Sequence, residues 1–237
     1  MPEIVLTGNA GRIEARYHHS KNPMAPLVIV LHPNPLQGGT MNNRVTLTLY
    51  KAFIENGFSA IRFNFRGVGK SEGEYDKGEG ELTDTAAVLD WIQSINHGQR
   101  QLWVAGFSFG ALIGMQLLMR RPEIAGFVSV CPPANQYDFS FLAPCPVSGM
   151  IINGQDDQFC PTENVDKLVE KLNSQRGISI DYRVIPNCNH SFTDHLDIIK
   201  DCVTEYLQSR YAKKAINAKA LMLKIFASFS AIVLIFS

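Results

Sequence analysis

The sequence has no CxxC pair, no zinc-ligand spacing and no GxxxxGK(S/T) phosphate loop. Those gaps remove the thioredoxin-like, structural-zinc and P-loop readings. It has no excess of charge either: Lys and Arg number 22, and so do Asp and Glu. A nucleic-acid partner would call for a basic stripe, and none occurs. Repeats and low-complexity tracts are absent. The opening segment, MPEIVLTGNAGRIEARY, lacks a basic start followed by an apolar run, so a cleaved secretory signal is not expected. The five cysteines, Cys131, Cys145, Cys160, Cys188 and Cys202, are odd in number. Free thiols in a reducing cytosol suit that count better than a disulfide framework does.

What is present is the material for one sizeable core. The chain has 237 residues and is 46% hydrophobic, which suits a single mixed domain. Two strand-like runs, Glu3–Thr7 and Arg12–Tyr17, flank a Gly8–Gly11 turn signal and predict a hairpin. Leu27–Leu31 is continuously apolar, as a strand buried on both faces would be. Strand and helix patterns then alternate. Strands are expected at Ser59–Phe65, Leu102–Ala105, Phe127–Cys131, Met150–Ile152 and Ile178–Ile185. Helices are expected at Val45–Asn56, Leu82–Ile95, Ala111–Met119 and Glu163–Asn173. A final helix is expected from near Ser191, with Ser191 and Asp194 as a capping box, Phe192, Leu196, Ile199, Val203 and Tyr206 on its apolar face, and His195 inside it. Such an order predicts an α/β fold, a mostly parallel twisted sheet with an N-terminal antiparallel hairpin and helices on both faces. Sites in such sheets lie beyond the carboxyl ends of the strands.

Gly106-Phe107-Ser108-Phe109-Gly110 lies where a predicted strand gives way to a predicted helix. The GxSxG pattern arises by chance in roughly one sequence of this composition in ten, so the context carries the weight. A sharp strand-to-helix turn pushes a serine hydroxyl out above the sheet, and the glycines let two backbones pass closely. A serine needs a base to take its proton, and nucleophile turns of this kind are followed in chain order by an acid and then a histidine. His190, in Asn187-Cys188-Asn189-His190-Ser191, is the candidate base. Asp157 and Asp156, adjacent after a predicted strand, are the candidate acids, with Asp157 preferred. An oxyanion hole requires two fixed N–H donors. Phe109, directly after the serine, offers one. In His32-Pro33-Asn34-Pro35 the prolines have no N–H, so Asn34 is the expected second donor, through its backbone or its side-chain amide. His32 is expected to order this loop, and Arg66 to brace the loops around the site. Asn64 to Ser71 is glycine-rich but fails GxGxxG, which argues against a nucleotide.

These segments, LHPNPLQGGTMNN, FNFRGVGKSEG, AGFSFGA, GQDD and NHSF, resemble the small bacterial α/β-superfamily hydrolases, with their serine aminopeptidase-like and dienelactone hydrolase-like branches. The resemblance spans roughly Ile4 to Tyr211. It implies the α/β-hydrolase fold, a triad of Ser108, Asp157 and His190, and acyl hydrolysis of a small-molecule ester or related substrate with no cofactor and no metal. The GxxDxxxP spacing around Asp157 matches the family. Dienelactone hydrolases proper use cysteine where this chain has Ser108, which argues against that activity. Where relatives commonly carry HPHP, this chain has Asn34. The stretch from Pro132 to Pro146 is too short for a multi-helix cap. An open site with a minimal cap is therefore expected, rimmed by Tyr137, Phe139, Phe141 and Leu142.

The hydrolase domain is expected over residues 1–211. Residues 212–237 form a basic, then apolar tail, KKAINAKALMLKIFASFSAIVLIFS in its main part. Residues 220–237 are marginal for a spanning helix, which needs about 20 apolar residues, and are weighed as a membrane anchor on a cytoplasmic protein, as an extension beyond the domain, or as a packing helix. The rival to catalysis is a non-catalytic α/β-hydrolase scaffold that binds a partner, tethered to a membrane through this tail.

Overall fold

A computed structural model describes residues 3–96, 98 and 100–212. The order is β1 (Glu3–Gly8), β2 (Gly11–His18), β3 (Leu27–Leu31), α1 (Arg44–Glu55), β4 (Ser59–Phe63), α2 (Glu79–Ser94), β5 (Leu102–Phe107), α3 (Phe109–Arg120), β6 (Ile124–Val130), β7 (Gly149–Gly154), α4 (Thr162–Asn173) and β8 (Ile180–Ile185). A last helix, α5, covers 196–212. The eight strands form one sheet in the order β1-β2-β4-β3-β5-β6-β7-β8. The hairpin pairs antiparallel with itself and with β4, and every later pairing is parallel. This is the α/β-hydrolase fold.

The period-two alternation of the central strands divides the core in two. Leu27, Ile29 and Leu31 of β3, with Leu102 and Val104 of β5, pack under α2 and α3. Val28, Val30, Trp103, Ala105 and Phe107 turn the other way, onto α1 and α5. Each fully buried Leu, Ile or Phe here contributes roughly 1.5–3 kcal/mol of transfer free energy, so the sheet is held rigid from both sides. Helix α1 starts sharply because the Asn43 side chain accepts the N–H groups of Val45 and Thr46, filling donors the helix itself leaves open.

Between α4 and the chain's end the structure departs from expectation. Residues 191–195 are turns rather than helix. Phe192 has φ of +51° and is fully buried in the α1/α5 core, so it anchors the loop instead of sitting on a helical face. Its left-handed backbone breaks the helical period, and the Ser191/Asp194 capping box does not form. Between β6 and β7 the chain makes a turn at 134–136 and a short helical turn, Ser140–Leu142, and no longer helix. No helix among the described residues is long and apolar enough to cross a membrane. The 213–237 segment, on which the anchor reading rests, lies outside the described residues.

Candidate active site

Ser108 follows β5 directly and has φ of +54° and ψ of −118°. That conformation is costly for a residue with a Cβ, and the surroundings enforce it. The Ser108 N–H donates to the Val130 carbonyl at 2.8 Å, and its own carbonyl accepts the N–H of Ala111 at 2.8 Å. A Cβ on Gly106 would run into the Gly110 carbonyl, and one on Gly110 into the carbonyls of Leu31 and His32. Both glycines of the motif are therefore required by close backbone passage. Phe109 opens α3, and a first-turn N–H has no acceptor within its helix.

Asp157 lies just beyond β7 and His190 just beyond β8. The Asp157 side chain is fully removed from solvent. Its Oδ1 accepts the N–H of Phe159 at 2.9 Å and of Cys160 at 2.8 Å. Its Oδ2 meets His190 Nδ1 at 2.7 Å. Burial alone would raise this carboxyl, but the hydrogen bonds and charge of His190, with those of Cys131 and Cys160, hold it below the usual carboxylate range. Asp156 is exposed, its N–H given to the Cys188 carbonyl. Of the two adjacent carboxylates, only Asp157 touches the imidazole.

The His190 ring lies between Phe107 and Phe159, with centroid distances of 4.8 Å and 5.2 Å. No hydrogen bond joins the Ser108 hydroxyl to His190 among the described residues. Bonds of this kind are often loose without substrate and tighten in the complex. Cys131 directly follows β6 in a left-handed conformation, φ +47°. Its Sγ, the Asp157 carboxylate and the His190 ring lie within 4.8 Å of one another. Such a set could in principle grip a metal. Burial and the neighbouring Asp157 charge push the Cys131 thiol up, however, so the thiolate ligand is disfavoured, and the other two groups already bond each other.

The loop after β3 folds around its prolines. Asn34 caps the short turn Pro35–Gln37: its Oδ1 accepts the Leu36 N–H, and its carbonyl accepts those of Gln37 and Gly39. Its backbone N–H has no acceptor among the described residues. His32 is wholly buried. Its Nε2 accepts the Phe65 N–H at 2.9 Å, which leaves Nδ1 to donate to the Pro33 carbonyl at 2.7 Å. Burial lowers its pKa to about 4, so it is a neutral strut between two loops. Arg66 makes a bidentate pair with buried Asp84, at 2.8 and 2.9 Å, and holds the following loop against α2.

The expected rim needs correction. Phe139 and Leu142 are only 6% and 1% exposed and belong to the core, because the Ser140–Leu142 turn folds its apolar side inward. Tyr137 and Phe141 are half-buried and line other clefts, Tyr137 beside Lys167 and Lys171, Phe141 beside Gln116 and Met119. Tyr75, which carried no sequence signal, packs on Phe109 at 5.9 Å. The cleft beside His190 is lined by Asp156, Gln158, Phe159, Asn189 and Ser191, also without a sequence signal beyond adjacency to the acid and the base.

Known proteins resemble this chain in sequence and in fold. The family model described as X-Pro dipeptidyl-peptidase (S15 family) matches residues 16–154, a span that holds the Ser108 turn and ends before Asp157 and His190. An uncharacterised protein of Rickettsia prowazekii is 45% identical over 218 residues, 89% of this chain and 92% of that protein. The crystal structure of a protein of unknown function from Agrobacterium tumefaciens, described as an α/β hydrolase, has a TM-score of 0.87 at 52% identity, covering 90% of this chain and 97% of that one. An α/β serine hydrolase without lid from Xanthomonas campestris has a TM-score of 0.78 at 28% identity, covering 88% and 94%.

Proposed function

The chain belongs to the X-Pro dipeptidyl-peptidase (S15) family of α/β hydrolases, and on that premise we propose a cofactor-independent serine hydrolase that uses Ser108, His190 and Asp157 on a small acyl ester or related carbonyl substrate. The observation that carries this reading is the 2.7 Å bond between His190 Nδ1 and buried Asp157, with the imidazole packed on Phe107, the residue before a serine held in a strained turn.

In the proposed mechanism the Ser108 Oγ attacks the substrate carbonyl while His190 Nε2 takes its proton. The carbonyl π pair moves onto oxygen, and the Phe109 and Asn34 N–H groups stabilise the oxyanion. Collapse expels the leaving group, which takes its proton from the imidazolium and leaves an acyl-serine. Water, deprotonated by the same imidazole, then releases the acid and restores the serine. Asp157 keeps the imidazole in the tautomer with hydrogen on Nδ1 and offsets the charge of the imidazolium. The short β6–β7 connection supports an open site and a small acyl group on a larger leaving group. We assign this activity to residues 1–211, with the tail outside it.

Hydrolysis of a p-nitrophenyl ester series tests the reading. The expected result is turnover that favours short acyl chains, with kcat in Ser108→Ala and His190→Ala down by at least about a thousandfold. Equal turnover by wild type and Ser108→Ala would rule out the serine mechanism.

A further inference from the structure

The general base decides where the leaving group lies. The atom that departs takes its proton from His190 Nε2, so it must come within hydrogen-bond reach of that nitrogen. Its substituent then runs alongside the imidazole, away from the oxyanion donors. A cleft of about 300 Å3 opens beside the imidazole, lined by His190, Phe159, Asp156, Gln158, Asn189 and Ser191. Its volume is at the small end for ligand sites.

The lining has a definite chemistry. Phe159 is 55% exposed, with its ring centroid 5.2 Å from that of the imidazole and its backbone N–H given to Asp157 Oδ1. It is an aromatic wall open to solvent. Asp156 is exposed, its backbone is pinned by the Cys188 carbonyl at 2.9 Å, and it makes no ion pair among the described residues. Gln158, Asn189 and Ser191 are neutral. No Lys or Arg lines the cleft. Arg44, which reaches this segment, is turned to the Thr193 carbonyl. An aromatic face and one carboxylate in the same small cleft favour a cation, through the ring's negative face and the opposite charge together.

We propose that this cleft is the leaving-group subsite and that it takes an alcohol or amine bearing a cationic nitrogen, with Phe159 against the cation and Asp156 as its counter-charge. The inference rests on the serine-hydrolase reading above.

The test compares two esters with one acyl group and leaving groups of one shape, butyrylcholine and 3,3-dimethylbutyl butyrate, on the full-length protein. The ratio of their kcat/KM values is taken within each variant, so losses of folded enzyme cancel. The expected ratio in wild type is roughly 3- to 30-fold in favour of the cation. It should fall toward one in Asp156→Asn and in Phe159→Leu, and be kept in Phe159→Trp. A wild-type ratio at or below one, or a ratio that neither substitution moves, overturns the proposal. Failure to turn over either ester by protein that a fluorophosphonate still labels also overturns it while leaving the serine reading in place. Absence of labelling overturns both.

Discussion

Asp157 is ionised in a place that excludes water, and that is possible only because its oxygens are saturated by donors. The N–H groups of Phe159 and Cys160 and the imidazole of His190 occupy them. Asp157→Asn keeps the shape but lets the imidazole adopt the other tautomer, and should lower kcat by about 10⁴-fold, read from steady-state rates on one ester. His32 makes a second residue-level prediction. Its folded pKa is lowered by burial to about 4 from 6.5. Between those values the unfolded chain binds the proton and the folded chain does not, so stability falls as pH drops through the window and levels off below it. The full loss is about 3 kcal/mol. Urea midpoints at pH 4 to 7 should show this slope, and His32→Asn should flatten it. At this scale the sequence was legible where chemistry repeats locally. The glycines around Ser108 announce a close backbone passage, and HPNP announces a loop with few donors. Asp157 over Asp156 follows from the family's GxxDxxxP spacing, and the turn Gly154–Asp157 that gives it the imidazole is not readable from two adjacent carboxylates themselves. Phe159 against His190, and Cys131 against Asp157, join segments far apart in the chain, so no spacing could have indicated them.

The elements place these residues through a few close contacts. Helix α3 meets the sheet at Gly110, where an added Cβ would strike the Leu31 and His32 carbonyls, and again at Gly114 above Val104. Gly110→Ala should therefore cost at least about 1–3 kcal/mol in urea unfolding and lower kcat as well, because Ser108 and the Phe109 N–H move with the helix. The loop after β4 depends on Arg66. Its pairing with Asp84 is nearly dry, at 12% and 2% side-chain exposure. Asp84→Ala would leave the guanidinium with only the looser, exposed Asp76 at 3.7 Å, a loss of up to roughly 3–5 kcal/mol for a buried pair, which thermal unfolding would register. Strands and helices at the level of type and order were readable, because α1 and α4 keep a helical apolar stripe and β3 an unbroken apolar run. The start of α5 was not. Phe192 fits the apolar spacing of the helix that follows, and only its left-handed backbone shows that it is a plug in front of that helix. Phe139 and Leu142 misled in the same way, as apolar loop residues carry no period to say which way they point.

At the scale of the molecule, one sheet held between two cores sets Ser108, Asp157 and His190 just beyond the carboxyl ends of β5, β7 and β8, with Cys131 following β6, the strand between β5 and β7. Both cores close within the described residues, and α5 already covers the α1 face. Removal of residues 213–237 should therefore leave kcat/KM on a soluble ester within about twofold of the full chain. The central claim is that Ser108 is activated by the His190–Asp157 pair, and labelling with a fluorophosphonate followed by intact-mass measurement tests it most directly. The account predicts a single adduct on wild type, lost in Ser108→Ala and strongly slowed in His190→Ala. A folded wild type that takes no adduct, or an adduct that survives Ser108→Ala, would contradict it and turn attention to a binding scaffold.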